Sequence, residues 1–540
     1  MNLFYCLKVF VIVLVVLILA FQILLRPQLI YNKYRRLGRE RPELGLTVSS
    51  RPAPLIGDLF RFRDDLLLRT SSEIATFGKV RLLFFGVRPA FMVCDPELAQ
   101  YVLAESKELL LQNDLTRTLI EPMAGKVVGS LNGLAHRQHR ALVSPLFRSS
   151  LMPKYADLMM TCIRQDALLS DMIGREMDFH ELFRHWAFSV ISQGVLGCQV
   201  EPDFAQKFNE MMSLAQKYSQ SPLVLAPNLK WLEIVLRLRL RSLRNRLRAY
   251  LEDKITERLE TLNPIILNNA RIDDPATIPM IDAQLRFEDS HQRRLSLEQI
   301  RDEVMMMIVG GKDTVAGMTA WIMSVFYTQP QIEQQCRIEV QHARAISSSP
   351  ETFPTHADLE NLPYLHAVVL ESLRLYPAAA GFGRTASRDF DLFGIPISAG
   401  HMVFVGSRSL ARHPAYWTNP DQFDPNRFLK DGRVRAEQRP EGVPSEAYLP
   451  FSGKYRECPG RHLALTEIRI FLSFLLANFQ FEFRPGQRFD MDKESLISVP
   501  KDGVWVSSAE LTACLVNTSS PGVYAKSIVW LCVPIYVEAI

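Results

Sequence analysis

Apolar residues run almost unbroken from Leu3 to Leu25, with only Tyr5, Cys6, Lys8 and Gln22 intervening. As a helix this stretch reaches about 35 Å, more than the roughly 30 Å of a bilayer's hydrocarbon core, so the pattern predicts a transmembrane anchor over residues 1–26. A cleaved signal peptide is the competing reading, but the stretch is long and ends at Arg26-Pro27 rather than in a small-residue cleavage site. Arg26, Lys33, Arg35, Arg36, Arg39 and Arg41 follow it and only Lys8 precedes it, which places the bulk of the chain in the cytosol and the N-terminus in the lumen. Residues 27–57, basic and stiffened by Pro52 and Pro54, read as a hinge holding the body against the membrane.

Beyond this point the periodicity changes. Lys79 to Cys94 is rich in Val, Leu and Phe around Gly86 and Pro89 and predicts a hairpin. Helical periodicity dominates from Pro96 to Arg344, and short strand-like runs return between Asp389 and Val405. The expected fold class is mainly α with minor β. Leu236, Leu240, Leu243 and Leu247 share a helical face, with Arg237, Arg239, Arg241, Arg244, Arg246 and Arg248 around the remainder. An amphipathic surface helix with a solvated basic face accounts for them better than a nucleic-acid or membrane-surface role, and the apolar run Pro222 to Pro227 before it is placed to touch lipid.

At 540 residues, 48% hydrophobic and 22% charged, the chain has material for a large core and lacks the signature of disorder. It has no internal repeat and no long Gly/Ser linker. A formal charge of +4 is spread too thinly to indicate nucleic acid as a partner. The eight cysteines are scattered without a C-x-x-C pair, which fits a reducing compartment and excludes the usual zinc or dithiol patterns.

Three clusters carry chemistry. In Pro450 to Gly460, Cys458 follows a glycine-containing turn and the cation Arg456, just before an apolar helix from Leu463. A helix N-terminus and a nearby cation stabilise thiolate, although a structural cysteine beside a turn satisfies the same pattern. Glu371 and Arg374 meet on one helical face at i, i+3, as ordinary surface ion pairs do. Gly310 and Gly311 interrupt the apolar stretch Val304 to Val309 ahead of Lys312, Asp313 and Thr314. Each glycine costs a helix about 1 kcal/mol relative to alanine, a cost explained if a flat cofactor approaches the backbone there, or otherwise a tolerated irregularity. Thr314 is placed to bond a carbonyl one turn back.

In this order and at these distances the clusters resemble the cytochrome P450 family, in its microsomal, fungal-type members, from about Arg51 to about Val506. The resemblance implies a monooxygenase body over 58–506, with haem b (iron protoporphyrin IX) between the long central helix and the cysteine loop. It makes Cys458 the axial iron ligand, with Phe451, Arg456 and Gly460 in the haem-binding loop and His136, Arg140 and Arg384 on the haem propionates. Asp313 and Thr314 match the acid–alcohol pair that supplies protons for oxygen activation. Glu371, Arg374 and Arg427 match a structural triad. Ala378 to Phe382 and the loop Gln112 to Leu131 are expected to line a pocket for an apolar small molecule.

NADPH electrons are expected through NADPH-cytochrome P450 reductase, with cytochrome b5 as a further donor, because the chain lacks a nucleotide-binding glycine motif of its own; Lys454 and Arg461 are candidates for docking an acidic partner. The implied location is the cytosolic face of the endoplasmic reticulum membrane, held by a single span. Three features depart from the family pattern: Lys454 stands where glycine is usual, with Gly453 one place earlier as the basis of a shifted turn; His136 replaces a tryptophan; and the tail 507–540 is atypical. Two rival readings are an oxygen-independent haem-thiolate isomerase or dehydratase, which would need no proton relay, and a haem-binding protein without turnover.

Overall fold

A computed structural model describes the chain from Leu3 to Glu510 apart from residues 50, 54–56, 59–70, 106–107, 113, 167–172, 221–233, 262–278, 287–293, 493–494 and 496. The run Pro222 to Pro227 and the tail from residue 511 onward therefore lie outside the described residues. Helix α1 (Leu3–Ala20) passes through a π-helical turn, Phe21–Leu25, straight into α2 (Arg26–Glu40). Among the described residues this is the one helical stretch long and apolar enough to cross a membrane.

The basic segment expected as a hinge is thus helical up to Glu40. Pro27 directly follows the π-helical turn, where the continuous helix gives up a backbone hydrogen bond without ending, and no further proline follows until Pro42. Nor is α2 loose. Tyr31 and Tyr34 are buried, Tyr34 meets Phe91 edge-on at 5.0 Å, and its hydroxyl donates to the Pro396 carbonyl.

The main sheet contains β1 (Leu46–Val48), β2 (Val80–Phe85), β3 (Arg88–Val93), β4 (Leu110–Gln112), β5 (Phe382–Ala386) and β6 (Met402–Val405), in the order β1-β2-β3-β6-β5-β4. β2 and β3 form the hairpin that the apolar pattern predicts, pairing Val80 with Val93 through to Phe85 with Arg88. β6 joins β3 in parallel and β5 antiparallel, so the hairpin is bonded to chain more than 300 residues distant.

The helical body contains α3 (Gly133–Val143), α4 (Phe179–Leu196), α5 (Pro202–Gln220), α6 (Ile234–Thr261), α7 (Leu297–Thr328), α8 (Pro363–Leu375) and α9 (Arg461–Asn478). α7 runs through its core. A reciprocal capping box of Ser296 and Gln299 fixes its start. Phe183 and Trp186 of α4 pack on Phe471 of α9 with ring centroids 4.5 and 4.4 Å apart, each pair adding about 0.5–1.5 kcal/mol beyond its buried area. The last described strand, Trp505–Glu510, pairs antiparallel with Phe479–Phe483. The last described strand therefore continues past Val506, because Ser507 and Ser508 join the ladder through their backbone and leave no apolar signature.

Candidate active site

Cys458 sits between the single turn Lys454–Arg456 and α9, and its N–H donates to the Phe451 carbonyl at 2.9 Å, closing the loop. Surrounding protein pushes the thiol up; the Gly460 N–H and, after it, the Arg140 guanidinium pull it down. Cys94, Cys162 and Cys336 are sealed in the core, whereas Cys458 is exposed on one side. The loop is not a shifted turn. Gly453 is extended at φ −161°, and the left-handed positions are Ser452 at φ 61° and Lys454 at φ 58°. Lys454 thus occupies a conformation that costs a residue with a Cβ about 1–2 kcal/mol. Its Nζ lies 3.4 Å from Glu446, and Arg461 holds Glu457 at 3.0 Å, so both candidate docking cations are paired within the chain.

Four basic side chains converge on this loop from three elements. His136 and Arg140 come from α3, Arg384 from β5 and Arg456 from the loop itself. Arg140 donates to the Glu457 carbonyl, and Arg456 to the Leu131 carbonyl at 2.8 Å and Asn132 Oδ1 at 2.9 Å. Arg384 donates to its neighbour Gly383, but its Nε and Nη2 are buried without a partner. Burial first, then Arg456, Arg140 and Arg384, pushes His136 down to about 3. None of the four forms an ion pair among the described residues. Of the three guanidiniums, Arg384 is buried and Arg140 and Arg456 half-buried, and charges in that state call for anionic groups.

On α7, Thr314 Oγ1 donates to the Gly310 carbonyl at 2.7 Å. The two glycines serve different ends. A Cβ on Gly311 would lie 2.7 Å from Ile191, so this glycine lets α4 pack closely, and no cofactor is needed to explain it. A Cβ on Gly310 would meet only Met306, at 3.8 Å. Asp313 points at α4, where Arg184 Nε holds its Oδ1 at 2.9 Å, with Lys312 Nζ 4.0 Å from the same atom.

Glu371 and Arg374 are no surface pair. Both side chains are 0% exposed and doubly bonded at 2.7 Å. Arg374 also donates to the Ala411, Pro420 and Gln422 carbonyls, while Glu371 accepts from the Asp424 N–H at 2.8 Å and lies 3.4 Å from Arg427 Nε.

The family model for cytochrome P450 matches residues 48–506. The chain belongs to the cytochrome P450 family. A cytochrome P450 4c21 from Blattella germanica is 26% identical over 83% of this chain and 90% of its own length, and a cytochrome P450 3A18 from Rattus norvegicus is 25% identical over 84% and 88%. In fold the chain is similar to a retinoic-acid-bound cyanobacterial CYP120A1, with a TM-score of 0.70 at 22% identity over 85% of this chain and 98% of that one.

As a cytochrome P450 the protein is a monooxygenase. It uses haem held by a cysteine thiolate, with O₂ and NAD(P)H-derived electrons delivered by a redox partner, and acts on a small molecule. The residues present fit that group: an open thiol for the iron, and orphaned buried guanidinium nitrogens beside it for two carboxylates. Several contributors escaped the sequence reading. Tyr455 bonds Arg384 and Arg456 and meets His136 edge-on at 6.1 Å. Asn132 ties Arg456 to the Gln112 N–H of β4. His139 Nδ1 and Glu303, both buried, pair at 2.6 Å and lock α3 onto α7. Arg184 was invisible as the partner of Asp313 because 129 residues separate them.

Proposed function

We propose that this protein is a membrane-anchored monooxygenase inserting one oxygen atom of O₂ into an apolar terpenoid, steroid, fatty-acid or polyketide-type molecule, in secondary or lipid metabolism. The observation that carries the reading is one open thiol, Cys458, beside four basic residues, His136, Arg140, Arg384 and Arg456, that make no ion pair among the described residues. Haem bound through Cys458 supplies the oxygen-activating chemistry. The ring N–H of His136 and the three guanidiniums hold its carboxylates, with Phe451 and Gly460 shaping the loop behind the sulfur. Glu371, Arg374 and Arg427 support the loop as structure.

Thr314 offers a hydroxyl for proton delivery, oriented through its bond to the Gly310 carbonyl. Asp313 stands upstream. It hands on a proton only when its carboxylate leaves Arg184, so the Arg184–Asp313 pair acts as a gate on supply. Electrons come from NADPH through NADPH-cytochrome P450 reductase, with cytochrome b5 as an additional donor. The body faces the cytosol at the endoplasmic reticulum, in accord with the charge asymmetry around α1.

The test uses a ligand chosen by its spin-state shift, with reductase and NADPH. Thr314→Ala should keep NADPH oxidation within an order of magnitude, raise peroxide formed per NADPH and cut product by about 10²-fold or more. Unchanged coupling would remove Thr314 from the proton path.

A further inference from the structure

A second cavity, of about 920 Å³, opens between α6, the start of α7 and the segment from Arg117 to Ala135. Neither Cys458 nor any of His136, Arg140, Arg384 and Arg456 lines it. Its wall carries six cations, Arg117, Lys126, Arg237, Arg241, Arg244 and Arg248, against three carboxylates, Glu121, Glu298 and Asp302. The spacing of the α6 arginines, four, three and four residues, puts them on one helical face, beside the stripe of Leu240, Leu243, Leu247 and Leu251 that packs into the core. Four of the six arginines read from sequence as a solvated surface are therefore cavity wall.

The carboxylates are largely committed. Arg248 and Arg301 share Asp302 at 2.6 and 3.0 Å, Arg301 also holds Glu298 at 3.3 Å, and Arg117 holds Glu121 at 3.2 Å. Arg244 donates to the Glu121 carbonyl at 2.9 Å. Arg237, Arg241 and Lys126 have no carboxylate partner among the described residues, and the Nε atoms of Arg237, Arg244 and Arg248 are buried without an acceptor. Burial and then Arg248 push Arg244 down to about 10, with Asp302 opposing.

Like charges at i, i+4 repel and destabilise a helix. Guanidiniums in a concave, half-desolvated setting bind oxyanions in bidentate fashion. We propose that this cavity is a binding site for a multiply phosphorylated ligand, separate from the haem site, held chiefly by Arg237, Arg241, Arg244 and Lys126. The same phosphate chemistry is offered by a soluble phosphorylated metabolite and by a phosphoinositide headgroup, and the two sources are separable by experiment.

Full-length holoenzyme in phosphatidylcholine nanodiscs is titrated calorimetrically with inositol hexakisphosphate. Saturable one-to-one binding that weakens with salt is expected, at least tenfold weaker in Arg237→Glu/Arg241→Glu. Both residues lie on the wall and make no described ion pair, so the fold survives their loss, which an unchanged haem spectrum verifies. Arg433→Glu/Arg488→Glu, reversing two exposed cations elsewhere, should leave affinity unaltered. Absence of saturable binding, an unaffected cavity variant, or an equal loss in the distant variant each overturns the proposal. Given binding, nanodiscs containing phosphatidylinositol 4,5-bisphosphate separate the sources: competition assigns the site to a lipid headgroup, and an unchanged affinity assigns it to a soluble ligand.

Discussion

Two arginine-rich clusters of the body solve the problem of buried charge in different ways. Around Glu371, each nitrogen of Arg374 that can donate finds an oxygen of the protein, two from the carboxylate and three from backbone carbonyls. Around Tyr455, Arg384 keeps two nitrogens without partners, and positive rather than negative groups surround the neutral His136. In the first cluster Arg374 is fully satisfied within the chain, while Arg427 Nε, 3.4 Å from Glu371, makes an ion pair without a hydrogen bond. The second leaves buried donors of Arg384 and Arg456 unmatched among the described residues, as the proposed contacts to haem carboxylates require. The contrast between Arg374 and Arg384 separates a charge whose donors are all committed to the fold from one with donors to spare.

The largest test breaks the first cluster. Arg374→Ala leaves Glu371 charged, buried and facing only Arg427, and should cost about 3–5 kcal/mol of stability in denaturant titration. A loss below about 1 kcal/mol would mean that the network contributes little. In the second cluster, Arg384→Gln removes one or two charge-assisted hydrogen bonds to a ligand, about 1.5–3 kcal/mol. It should speed haem transfer to apomyoglobin about 10–100-fold while scarcely changing unfolding of the haem-free chain. Equal effects on both readouts would make Arg384 structural, like Arg374.

Acid should weaken the first cluster's helix through His366, which burial, Arg469 and Arg461 push down to about 3. Its folded pKa lies below the unfolded value of about 6.5, so the unfolded chain binds the proton first. Stability contributed by the neutral ring is present above about pH 6.5 and falls as pH drops from there towards 3. Between pH 7.5 and 5.5 this amounts to about 1 kcal/mol, and His366→Asn should flatten the pH profile by that much. The smallest effect concerns the cysteine loop. Lys454→Gly relieves a left-handed backbone and, after the glycine's extra unfolded-state entropy, should stabilise by about 0.5–1 kcal/mol in thermal unfolding. Destabilisation would show that the Lys454–Glu446 pair outweighs the backbone strain.

Much of this protein was legible in its residue pattern, because local chemistry is written locally. The apolar run that becomes α1, the β2–β3 hairpin, the dominance of helix and the turn-cation-thiol motif at Cys458 all depend on periodicity or on neighbours a few residues apart. Tertiary structure alone decided what depends on chain brought together from afar. Glu371 and Arg374 form an i, i+3 pair in any helix, and only burial against the Ala411 to Asp424 segment turns a weak surface pair into a sealed network. Asp313 gained Arg184, and Gly311 gained Ile191 as its reason for being glycine. The arginines of α6 show the same limit most sharply: helical period sets which residues share a face, but whether that face meets solvent or closes a cavity is fixed by what packs opposite, and no local pattern encodes it.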